Sequence, residues 1–194
     1  LSVAIQNLPD VHLQYFAEAH QHDHKTEHAH SPALVEHDHA HQPGALDAHL
    51  WLLPHNAMVI AQRISADLSA IDPDNAELYA ANLKSFIERL AALDQQLKEQ
   101  LKALQGKPFF VFHEAFNYFE HAYGLQHSGV FAISSELQPG ARHVQQMRQR
   151  LQQAGPSCVF SEPPLQPRLA HTLADGLPVT LAELDPLGVD SPVS

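Results

Sequence analysis

Cysteine is almost missing from this 194-residue chain, which holds only Cys158. A single thiol says nothing about the redox compartment. Cys158 lies in the apolar run Ser157-Cys158-Val159-Phe160. It reads either as a small buried hydrophobe or as half of a disulfide whose partner lies beyond Ser194. Positive charge is scarce too. Lys and Arg number 11 against 22 Asp and Glu, a formal net charge of −11. That balance argues against nucleic acid as a partner and makes cations the more natural ligand. No apolar run approaches the roughly 18–20 residues a membrane-spanning helix needs. Enzyme signatures are also missing: there is no Gly-rich phosphate loop, no Gly-x-Ser-x-Gly elbow and no His-Glu-x-x-His. Ser134 and Ser135 have no evident base beside them. The chain shows neither an initiator methionine nor a signal peptide and stops without a closing element, so both ends read as cut.

What the chain has in excess is histidine, 16 in all. Eight of them, His20, His22, His24, His28, His30, His37, His39 and His41, crowd one acidic stretch. Neutral imidazole binds Zn, Cu, Ni or Co near neutral pH, and interspersed Asp adds charge and oxygen ligands. The stretch has no apolar period and is punctuated by Pro32, Pro43 and Gly44. It therefore reads as a non-helical, low-affinity metal trap rather than a precise site, because selectivity needs fixed geometry.

The rest carries enough apolar residues, 44%, for a real core. Residues 3–8 are a short apolar piece, and residues 11–19 look helical. The run His49-Leu50-Trp51-Leu52-Leu53 stops at Pro54, which is welcome in a first helical turn, so a helix is expected over 54–70. Asp72-Pro73-Asp74 ends it and caps the next. Phe86, Leu90, Leu93, Leu97, Leu101 and Leu104 repeat at steps of three and four, predicting one long helix over 75–104. Strands and helices then alternate. Strands are expected at 109–112, 130–133, 158–160 and 179–181, and helices at 114–123, 139–153 and 167–174. That order implies an α/β unit with a mostly parallel sheet.

Open parallel sheets bind ligands beyond the carboxyl ends of their strands. Here those ends read His113-Glu114, Ser161-Glu162 and Glu183-Leu184-Asp185. His113 follows four apolar residues, so it is expected to be partly buried and fixed in direction. A buried neutral imidazole with a second histidine near it is the beginning of a zinc site. His49 sits in an ordered segment just before a helix, unlike the histidines of the acidic stretch. Asp185 precedes a proline, where a turn former or helix cap is the commoner role. Glu162 suits a supporting role behind a ligand.

Several motifs now stand together. They are the acidic histidine stretch, His49-Leu50-Trp51-Leu52-x-Pro54, Phe110-Val111-Phe112-His113-Glu114-Ala115-Phe116-x-Tyr118-Phe119, Glu136-Leu137-Gln138-Pro139-Gly140-Ala141, Cys158-Val159-Phe160-x-Glu162-Pro163 and Leu184-Asp185-Pro186-Leu187-Gly188. In this order they resemble the periplasmic zinc-binding protein of bacterial high-affinity zinc ABC transporters. The resemblance covers nearly the whole chain from His20.

It implies a two-lobed α/β protein with parallel sheets, a long helix joining the lobes and zinc in the cleft. Residues 1–74 would be the remainder of an incomplete first lobe, 75–104 the connecting helix and 105–194 the second lobe. The metal ligands would be His49 and His113, with Asp185 as an optional third and the loop histidines as weak ligands. A first-lobe histidine would precede Leu1, and the disulfide partner of Cys158 would follow Ser194. Histidine at 113, where a manganese-binding branch carries glutamate, points to zinc. The implied protein is a periplasmic monomer and not an enzyme. It would capture Zn2+ and deliver it to an inner-membrane ABC permease. Two rival functions remain at this point. One is a histidine-rich storage protein or nickel/zinc chaperone built on the loop. The other is a zinc hydrolase, for which Glu114 is the one candidate base.

Overall fold

The computed structural model describes residues 2–16, 44–131, 141–162 and 168–189. The eight loop histidines, the expected strand residues 132–133 and most of the motif beginning at Glu136 lie outside them.

Two helices form a hairpin on one side of the molecule. Helix α1 spans Pro54–Ile71 and begins on Pro54, whose missing N–H costs nothing in the first turn. A short turn over Pro73–Asn75 separates it from α2, Ala76–Leu101. Asp72 does not cap α2. Its carboxylate instead accepts hydrogen bonds from Asn75 and the Tyr79 hydroxyl. At 26 residues α2 is roughly 39 Å long. Its expected stripe is only partly covered: Phe86, Leu90, Leu97 and Leu101 are half-buried, while Leu93 is exposed.

The sheet has three parallel strands in the order β1 (Phe109–Val111), β2 (Ser157–Ser161) and β3 (Val179–Glu183). Val130 reaches β1 only through an isolated parallel bridge to Val111, so the strand expected there shrinks to one pairing among the described residues. Helices α4 (Ala141–Ala154) and α5 (Arg168–Ala174) cover one sheet face. Phe110, Phe131, Met147, Leu151, Val159 and Leu173 form the core there. The opposite face carries Phe109, Val111, Cys158 and Phe160. It looks into an apolar cavity of about 560 Å³ bounded by Leu97 and Leu101 of α2. Cys158 is free and half-buried on this face.

Helix α3, Asn117–Tyr123, is shorter than its periodicity suggested. Residues 113–116 instead make a tight turn, with Ala115 N–H donating to the His113 carbonyl, and bury Ala115 and Phe116 against Val111. The helix ends at Gly124, whose left-handed φ of 64° closes it cheaply. Tyr123 ties α3 to α2 by donating to Asp94. Burial, reinforced by the Asp94 charge, pushes its phenol up to about 12.

The helix expected over 11–19 does not form in its described part, residues 11–16. Tyr15 bridges Leu46, and across the same pair of segments Phe16 N–H donates to the Ala45 carbonyl while the Phe16 carbonyl accepts from Gly44 N–H. The His12 backbone is clamped at both ends by the buried Asn56 amide. These tertiary partners satisfy the backbone groups that a helix would have used.

Candidate metal centre

His113 stands one residue past the strand ladder. Phe112 N–H still donates to Phe160 O at 2.8 Å, so the backbone entering His113 is held to β2. Glu162 leaves the neighbouring strand end at the same level. Its two oxygens lie 3.1 and 3.0 Å from His113 Nδ1. Two sequence positions 49 apart meet because parallel strands present their carboxyl ends together. The supporting role expected of Glu162 has this contact behind it.

His49 is positioned by a different device. Asp47 Oδ1 accepts from His49 N–H at 2.9 Å and contacts His49 Nδ1 at 2.7 Å. A carboxylate bonding the backbone two residues on is an Asx turn, so the loop and the ring are fixed by one oxygen. Immediately after it, Leu50 and Leu53 bury themselves against Tyr118 of α3. Asp47 itself is 0% exposed, and among the described residues no Lys or Arg is paired to it; N–H donors meet its carboxylate instead. The Tyr118 hydroxyl donates to the Asp47 carbonyl and accepts from Gln14 N–H. Burial pushes the Tyr118 phenol up; the Gln14 N–H opposes this and the Asp47 charge adds to it.

These two supports bring the imidazoles together. The His49 and His113 ring centroids are 5.2 Å apart at an interplanar angle of 73°. In each ring a carboxylate engages Nδ1. Where that nitrogen carries the proton, the lone pair lies on Nε2, the arrangement typical of a histidine held ready for a metal. The two side chains are 15% and 12% exposed, so a small ion can reach them.

The residue after Asp185 is tied to this neighbourhood: Trp51 Nε1–H, next to His49, donates to Pro186 O at 2.9 Å. The Oδ1 atom of Asp185 accepts from Leu187 and Gly188 N–H, the turn-forming role its sequence context suggested. Among the described residues no group of three or more His, Cys, Asp or Glu is arranged to hold a metal. Glu114 points its Oε1 toward Asn117 Nδ2 at 3.2 Å. His20, His22, His24, His28, His30, His37, His39 and His41 lie outside the described residues. Asp47, Asn117 and Tyr118 went unassigned in the sequence, although the Asp-x-His spacing at Asp47 is itself an Asx-turn signal.

A family model described as the periplasmic component A of the zinc-uptake complex, ZnuA, matches residues 2–193. The high-affinity zinc uptake system protein ZnuA of Brucella abortus is 40% identical over 147 residues, covering 76% of this chain and 44% of that protein. A crystal structure of ZnuA superposes with a TM-score of 0.68 at 29% identity, covering 75% of this chain and 56% of the other. A Zn(II)-bound variant of AdcAII from Streptococcus pneumoniae gives 0.65 at 28% identity, with 78% and 55% covered. The chain thus spans about half the length of the relatives it matches.

Proposed function

The chain belongs to the family of the periplasmic component A of the zinc-uptake complex, and from that premise we propose that it captures Zn2+ outside the cytoplasm and passes it to an ABC permease. His49 and His113 hold the ion through Nε2, and Asp185 or water occupies the remaining positions. The single observation that carries this is the 5.2 Å separation of two imidazoles, each backed by a carboxylate. Two rings sharing one tetrahedral zinc at about 2.0–2.1 Å per nitrogen would have centres roughly 5 Å apart. Two imidazole donors favour zinc over manganese, which prefers oxygen.

The reading is of a binding protein rather than an enzyme. The one candidate base, Glu114, accepts a hydrogen bond from Asn117. In this scheme residues 1–74 belong to the first lobe, 75–104 to the connecting helix and 105–194 to the second lobe. The histidine stretch from His20 to His41 collects metal weakly. Zinc titration in competition with a chelator tests the assignment. His113→Ala should abolish the tight equivalent and leave weak binding, and deletion of residues 20–41 should do the reverse. A tight equivalent that disappears with the deletion and survives His113→Ala would transfer the site to the histidine stretch, as in a storage protein.

A further inference from the structure

The geometry points to Asn117 as the positioning residue that sets the distance between the two imidazoles, an inference that rests on the metal site proposed above. Asn117 opens α3, four residues after His113 and 70 positions from Asp47. Its Nδ2 lies 3.1 Å from Asp47 Oδ2 and 3.2 Å from Glu114 Oε1. An amide nitrogen carries two N–H bonds, and here each faces one carboxylate. One carboxylate is the anchor behind His49. The other belongs to the residue next to His113. One side chain therefore ties the loop that carries one imidazole to the strand end that carries the other.

The residue type follows from this position. A carboxylate accepts only, so both neighbours demand a donor, and aspartate at 117 would set three carboxylates against one another. Lysine would donate but lacks the planar two-pronged geometry. Neighbouring bonds make the link stiff: Tyr118 bonds the Asp47 carbonyl, and Asp47 is fully buried. Asn117 touches no metal in this scheme. It acts through Asp47, which holds the His49 ring by Nδ1 and the His49 backbone by N–H.

Zinc affinity by chelator competition, and the visible ligand-field spectrum of the Co2+-loaded protein, test this on the full chain. Asn117→Ala should weaken Zn2+ about tenfold or more, the range typical for a group that orients a ligand. It should also change the Co2+ spectrum, while melting of the metal-free protein moves by only a few degrees. Asn117→Asp should bind worse than Asn117→Ala. Should the alanine variant fail to fold, Asn117→Ser, whose single short O–H cannot bridge both carboxylates, carries the test with the same expected outcomes. His113→Ala is the control. If it loses tight binding while the Asn117 variants keep wild-type affinity and spectrum, the positioning role is overturned and the site stands. If His113→Ala also keeps tight binding, both are overturned. Aspartate at 117 serving as well as asparagine would likewise overturn the role assigned to the two N–H groups.

Discussion

Among the described residues two pairs of histidines stand ring to ring, and they differ in everything but proximity. His12 and His55 are closer, with centroids 4.5 Å apart, but they stack at 26° on the exposed surface. The Nε2 of His55 meets the Asp10 carbonyl, a partner that competes with metal for that nitrogen. His49 and His113 are 5.2 Å apart at 73°, are largely covered, and each has a carboxylate at Nδ1. Nearly parallel rings send their in-plane lone pairs side by side, whereas steeply inclined rings can aim them at one point. Closeness alone does not make a site. The groups behind the rings decide which nitrogen carries the lone pair and where it points.

The largest test of this contrast removes one ring from each pair. His113→Ala should weaken zinc on the order of a hundredfold or more, beyond the usual effect of losing an orienting partner. His55→Ala should leave tight binding unchanged, and chelator competition reads both. Next comes Asp47→Ala, which keeps both rings but strips the anchor behind one. Zinc affinity should drop about 10–100-fold. Removing the acceptor that His49 and Asn117 share should also cost about 1–3 kcal/mol of stability, measured by chemical denaturation. Tyr118→Phe should have a smaller effect. It deletes the bond to the Asp47 carbonyl and the acceptor for Gln14, about 1 kcal/mol for an ordinary hydrogen bond, and should shift zinc affinity only a few-fold.

The smallest effect concerns another described histidine that meets a carboxylate. His127 Nδ1 lies 2.8 Å from Glu120, and Glu120 also accepts the His127 backbone N–H. Burial works against charging this ring, but the Glu120 hydrogen bond and charge, with a contribution from Glu114, outweigh it and raise its pKa. A raised histidine stabilises the fold fully below its ordinary value of 6.5 and loses that contribution as pH climbs through the raised value. Glu120→Gln should therefore lower the melting temperature more below pH 6.5 than in mildly alkaline buffer. It should leave zinc affinity unchanged. An unchanged affinity would show that a carboxylate partner alone does not make a histidine part of the metal site.

Much of this was legible in residue order. The strand ends announced His113 and Glu162, because four apolar residues before a polar one mark a strand leaving the core. The Trp-containing segment before Pro54 announced His49. The long helix was visible in its leucine spacing, and its bounds moved by one residue at the start and by three at the end, where the last turn tightened at Lys102–Leu104. Contacts made across the fold were not legible. Asn117 reaches Asp47 over 70 positions, and Asn56 reaches His12 over 44, drawing residues 11–16 out of the expected helix. Local propensity carries no information about partners so far away. Helix α3 shortened because Ala115 and Phe116, among its expected first residues, pack against Val111 of β1 in a cluster that also takes in the distant Leu52.

The most direct measurement is anomalous X-ray diffraction at the zinc edge from crystals of the zinc-loaded chain. The expected result is one strong peak about 2.0–2.1 Å from Nε2 of both His49 and His113. Zinc bound elsewhere in the crystal, with no peak between those two rings, would contradict the assignment.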